Sequence, residues 1–255
     1  MGAPEPEQIY ERTRIEGERR LERPVVELAS TALAAGFDIA AGVAFLAVTV
    51  AALRGHFGDA ARVPGAIAFG TGFVFLIVGR GELFTENFLV PLAGLEGKAR
   101  NAWWKVAELW TVSPVFNIAA GAFFAFLLSV HRVLPQGSGA AMVDVASKLH
   151  DKSTLTSFVS AVFAGALMTA MTWFVEGQHA VGVRVVVAWA SGALLALAGL
   201  NHVIVGTIEL IFGMRYGADI PWLYVLGNFA LAAAGNMLGG VGLVTLNRFT
   251  QARPR

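Results

Sequence analysis

Six long apolar runs alternate with short polar connections along this chain, at about 28–53, 65–95, 105–130, 155–175, 184–213 and 222–247. Each is long enough for the roughly 20 residues that carry a helix across a bilayer. A soluble helical bundle needs a polar stripe on every helix, and Ala40 to Leu53 has none. The pattern predicts an all-α membrane protein with six transmembrane segments in one domain over 28–247. Residues 1–27 are hydrophilic: Glu7, Glu11, Glu16, Glu18 and Glu22 mix with Arg12, Arg14, Arg19, Arg20 and Arg23. That mixture favours a solvated surface helix with i,i+4 pairs, ended by Pro24. Residues 248–255 form a short polar tail. The longest connection, 131–154, turns at Pro135-Gln136-Gly137-Ser138-Gly139 and then takes helical spacing from Ala140 to His150.

The second and fifth runs are interrupted. Gly79-Arg80-Gly81-Glu82-Leu83-Phe84-Thr85-Glu86-Asn87 puts charges and glycines where apolar residues are expected, and Asn201-His202 and Glu209 do the same in the fifth. Irregular backbone at membrane depth is tolerated only where it is buried in protein or lines a water-filled space. Each half, 28–130 and 155–247, therefore holds three spans with a broken middle one, so the halves enter the membrane from opposite sides. That is an inverted repeat, whose breaks meet near the midplane and build the transport site. Small residues at Gly36, Gly42, Gly121 and Gly239 mark close helix approach.

Composition agrees. Of 255 residues, 56% are hydrophobic and 15% charged, against about 25% charged in soluble domains. Met1 to Val26 lacks an apolar signal-peptide region, so the first span is expected to act as its own insertion signal. The chain has no cysteine, which removes disulfides and thiolate chemistry. No metal-ligand cluster, nucleotide motif or nucleophile–base pair stands out, so no enzyme activity, cofactor or nucleic-acid partner is expected. With six spans, twelve of the nineteen Lys and Arg residues fall on the side of the termini, among them Arg100, Arg253 and Arg255. Positive residues gather on the cytoplasmic side, which predicts a plasma-membrane protein with both termini in the cytoplasm.

Ionisable residues within a span are costly and mark function or pairing. Arg80 is expected within reach of Glu82, Glu86 or Glu209. His202 sits at the second break, where pathways form, and its ordinary pKa near 6.5 suits it to handling protons.

Glu82-Leu83-Phe84-Thr85 followed by Asn87 resembles the loop motif of the formate/nitrite transporter family. Gly199-Leu200-Asn201-His202 resembles the segment that holds the family's central histidine. Phe116-Asn117 through Gly121 and Gly235-Asn236 through Gly240 match in order and position. The resemblance covers roughly 28–247 and implies an aquaporin-like fold, a homopentamer in the lipid bilayer, and a pathway in each protomer for small monovalent anions of weak acids such as formate or nitrite. It further implies Thr85 and Leu83 on a mobile loop facing His202, with Phe73, Leu195 and Met168 as apolar constrictions. Asn201 stands where the family commonly has an acid and Gly206 where it commonly has an asparagine, which bears on substrate choice. Two rival functions remain at this stage: a channel for uncharged small solutes, and a non-transporting sensor or scaffold acting through the N-terminal helix.

Overall fold

The computed structural model describes residues 4–98 and 102–252, so Arg100, Arg253 and Arg255 lie outside the described residues. Among those residues there are helices and no strand. The order is α1 (Pro6–Leu21), α2 (Val25–Phe57), a 3-10 turn at Gly58–Ala61, α3 (Arg62–Gly79), a 3-10 helix at Phe84–Phe88 and α4 (Val90–Ala93). There follow α5 (Trp103–Leu128), α6 (Ser138–His150), α7 (Thr154–Glu176), α8 (Val181–Leu197), α9 (Val203–Arg215) and α10 (Trp222–Met237). A π-helical stretch, Leu238–Thr245, carries α10 into α11 (Leu246–Gln251). Among the described residues, four helical stretches are long and apolar enough to cross a membrane: Val25–Gly79, Trp103–Leu128, Thr154–Glu176 and Trp222–Gln251. The first contains both α2 and α3, and α8 is a shorter apolar helix.

Both expected breaks are present. α3 stops at Gly79 and the chain resumes helical form only at Phe84; α8 stops at Leu197 and α9 begins at Val203. The second break is shorter than the sequence suggested, because His202 caps α9 and Gly206 lies inside it.

The breaks are built alike. Gly81 N–H donates to Leu76 O as Leu200 N–H donates to Leu195 O. Asn117 Nδ2 donates to Glu82 O and its Oδ1 accepts from Phe84 N–H; Asn236 Nδ2 donates to Asn201 O and its Oδ1 accepts from Val203 N–H. One constant sequence offset relates every residue of these pairs, so Leu83 corresponds to His202 and Arg80 to Gly199. In each half a buried asparagine of the third span thus satisfies backbone groups that the broken helix leaves without partners.

The first spans correspond too. Asn117 Nδ2 also donates to Ala32 O in α2, and Asn236 Nδ2 to Ala161 O in α7. Such an approach requires glycine: a Cβ on Gly36 would collide with the carbonyl of Asn117, and one on Gly165 with the carbonyl of Asn236. Added methyls at Gly42, Gly121 and Gly239 would likewise strike neighbouring helices. The broken spans pack on each other, with Gly70 of α3 against Trp189 of α8 and Gly192 of α8 against the Phe73 ring. Around them the apolar core includes Ile39, Val43, Phe69, Phe88, Ile208 and Phe212.

Candidate functional site: the two broken helices

The two breaks meet in the buried interior. Thr85, in the first, and His202, in the second, are both fully buried, and Thr85 Oγ1 lies 2.8 Å from His202 Nε2. His202 is the N-cap of α9, and its Nδ1 accepts the Val205 N–H at 3.2 Å. A ring nitrogen that accepts carries no hydrogen, so the neutral ring bears its hydrogen on Nε2 and donates it to Thr85. A histidine protonated on both nitrogens has to give up the cap on Val205.

A cavity lies on each side of this pair. The first, about 320 Å³, is lined by Leu76, Gly81 and Glu82 of the first break, by α1, and by the α7–α8 connection from Glu176 to Arg184. The second, about 270 Å³, is lined by Leu195, Gly199 and Leu200 of the second break and by the α2–α3 connection, including Arg54, Asp59 and Arg62. Each break therefore faces the connection of the opposite half, as a two-fold inverted repeat requires. Leu76 and Leu195 are equivalent in the repeat, and each lines one cavity.

The remaining apolar candidates are all in the core. Leu83, Phe73 and Met168 are 0% exposed and Leu195 is 1% exposed. Asn201 turns away from the Thr85–His202 pair: its amide pairs with Asn228 of α10 (Nδ2 to Oδ1, 2.8 Å) and its N–H donates to Ser160 Oγ. It anchors the second break.

The charges depart from expectation. Arg80 makes no ion pair with Glu82, Glu86 or Glu209; among the described residues it has no hydrogen-bonded or ionic partner, and it lies exposed at the end of α3, at the first cavity. Glu82 instead takes Arg20 Nη1 on one carboxylate oxygen at 2.9 Å and Arg23 Nη1 on the other at 2.7 Å. Glu86 lies 3.6 Å from Arg20, which also reaches Asn87. The N-terminal helix is therefore no free surface helix. Its Gly17 packs on the backbone of Val90 and Gly94, and Tyr10 stacks edge-on against Phe249. These arginines sit about 60 positions from their partners, and the only local hint was a helix with more arginine than its own i,i+4 pairs consume. Outside the membrane segments, burial alone would raise the Glu16 carboxyl, but hydrogen bonds from Arg19 and Arg20 outweigh it and hold the pKa at about 2.

Glu209 belongs to the second cavity. Lys152 lines it too, and its ammonium donates to the carbonyl of Gly199 in the second break. Sequence reading passed over Lys152 because a lysine in a polar connection carries no periodic signal.

Two apolar halves related by inversion, with broken helices meeting at a buried polar pair between two cavities, define a membrane channel or transporter fold. The sequence profile of the formate/nitrite transporter family matches residues 7–250, and the chain belongs to that family. It is 26% identical over 254 residues to the inner membrane protein YfdC of Escherichia coli (strain K12), a match spanning 96% of this chain and 78% of YfdC. Among solved structures it resembles an FNT family ion channel (TM-score 0.80, 16% identity, 96% of this chain and 99% of that one). It also resembles a pentameric formate channel with formate bound (TM-score 0.75, 19% identity, 89% and 96%). By name, these relatives are an inner membrane protein and two channels.

Proposed function

We propose that this chain passes small monovalent anions of weak acids, of the formate and nitrite class, across the membrane from one cavity to the other through the two breaks. The observation that carries this reading is the buried 2.8 Å contact between His202 Nε2 and Thr85 Oγ1, which joins the breaks between the cavities. An anion leaving water for an apolar constriction loses hydration worth several kcal/mol or more. Protonation removes most of that cost, and a weak acid accepts a proton readily.

Neutral His202 has no hydrogen to surrender, because loss of Nε2–H leaves an imidazolate. The Thr85 hydroxyl accepts from His202 and keeps its own hydrogen to offer an anion oxygen. The neutralising proton then arrives through cavity water oriented by this pair. The N-terminus of α9 begins at the same place and contributes the positive end of its dipole. Leu83, Phe73, Met168 and Leu195, with Leu76, form the apolar walls in this reading, and Lys152 draws anions towards the second cavity.

The reading is completed by six spans and a homopentamer in the lipid bilayer of the plasma membrane, with one pathway per protomer. Residues 1–27 and 248–255 then lie in the cytoplasm on either side of a 28–247 transport domain. The pentameric formate channel that the fold resembles and the excess of Lys and Arg on the side of the termini support these points. Flux of labelled formate into proteoliposomes tests the pair: His202→Leu is expected to abolish flux while the assembled oligomer survives gel filtration, and wild-type flux in His202→Leu removes the reading.

A further inference from the structure

The cavity on the α1 side carries more positive charge than its own residues neutralise. Arg12, Arg19, Arg20, Arg23, Arg80 and Arg184 line it. The carboxylates in the same wall are Glu16, Glu82, Glu86 and Glu176, two fewer than the guanidiniums. Arg19 and Arg20 are engaged by Glu16, Arg20 and Arg23 by Glu82, and Arg12 by the Gly177 carbonyl. Arg184 lies 3.7 Å from Glu176, and its Nε is buried without a hydrogen bond. Arg23, 5% exposed, also has an Nε without a hydrogen bond, although Glu27 stands 3.3 Å away.

Arg80 is the most informative member. Its φ of 56° and ψ of 39° are left-handed, a conformation that side chains with a Cβ disfavour. The repeat places Gly199, at φ 59°, in the equivalent position of the second break, which is the residue such backbone prefers. The first break thus holds an arginine where glycine fits better, and that arginine has no partner among the described residues. Strain of this kind persists only where the surrounding structure over-determines it, and it clusters at ligand sites and switches.

Guanidinium groups present a planar fork of donors that matches phosphate and carboxylate oxygens. Glu27 pairs with Arg23 from outside the wall, which leaves one positive charge, that of Arg80, uncompensated beside Arg184. Two guanidinium forks offer more donors than the two oxygens of formate take up and match a tetrahedral oxyanion, and about 320 Å³ leaves room for a phosphate group with water around it. We infer that this cavity binds an oxyanion of the phosphate class, free or on a lipid headgroup, held by Arg80 and Arg184. The site sits in the mouth of the proposed anion path, apart from the Thr85–His202 pair. Its occupant fastens the end of α3 to the start of α8, beside the first break.

The test uses the full-length protein in detergent, with inorganic phosphate titrated at constant ionic strength against chloride and, separately, formate. Specific binding raises Tm saturably by mass action; phosphate is expected to do so, chloride and formate not. Arg80→Gly should move two readouts in opposite directions, raising Tm without phosphate while weakening phosphate binding at least tenfold by calorimetry. Arg184→Gln should weaken phosphate binding without raising Tm. Nanodiscs of phosphatidylcholine with and without phosphatidic acid identify the source. A phosphate response lost only in the phosphatidic acid discs assigns the site to the lipid, and a response kept in both assigns it to free phosphate. Equal shifts with chloride or formate, or wild-type phosphate affinity in both Arg80→Gly and Arg184→Gln, overturn the inference.

Discussion

Replacing Asn236 by leucine keeps the approximate size of a fully buried side chain and removes three hydrogen bonds. The Val203 N–H loses its acceptor, now at 2.9 Å, and the Asn201 carbonyl loses its donor, now at 3.1 Å. The Ala161 carbonyl, at 2.7 Å, lies within α7 and keeps its place in the helical ladder. The two break groups have no such ladder, and a buried unsatisfied polar group costs about 1–3 kcal/mol. The variant should therefore lose about 2–6 kcal/mol of stability in unfolding followed by tryptophan fluorescence in mixed micelles, with faster amide exchange confined to 201–205. Asn117→Leu should lose a similar amount, because it strips Phe84 N–H and the Glu82 carbonyl in the same way; its exchange should quicken at 82–84. A loss below about 1 kcal/mol at both positions refutes the claim that these asparagines hold the breaks open.

The other expectations are more local. Arg20→Gln leaves Glu86 without its arginine and Glu82 with Arg23 alone, which should cost about 3 kcal/mol and raise amide exchange at 82–88; adding Glu86→Gln should recover part of it. The Glu16 carboxyl is held at about 2 against an ordinary 4.5, so its folded value is depressed, and its contribution is complete above pH 4.5 and lost as pH falls towards 2. The stability difference between wild type and Glu16→Gln should accordingly be constant above about pH 5 and shrink below it, and a difference that shrinks between pH 7 and 5 contradicts that origin. His202→Asn keeps a donor for Thr85, so it should retain part of the flux with the wild-type dependence on pH, whereas a flattened profile means that the ring itself titrates on the route.

The apolar runs made the helices and both breaks legible, because a membrane span needs about 20 apolar residues and interruptions such as Gly79-Arg80-Gly81-Glu82 stand out against it. Thr85 and His202 were legible as partners because each lies in a break and breaks meet at the repeat interface. Arg80 was misjudged for a physical reason: nearness in sequence made Glu82 its obvious partner, yet Arg80 stays exposed in its left-handed turn while Glu82 is buried against Arg20 and Arg23. The partners of Glu82 come from α1, and no local period encodes a contact between an amphiphilic extension and a loop about 60 residues away. The bond from Asn201 to Asn228 of α10 joins residues 27 positions apart, and no periodic pattern in the sequence announces it.

Formate flux and osmotic swelling in the same proteoliposomes, measured across a range of external pH, bear most directly on the pathway. The account predicts formate uptake well above that of protein-free liposomes, rising as external pH falls, with glycerol and urea swelling no faster than the controls. Rapid swelling with uncharged solutes and no formate uptake at any pH would contradict it.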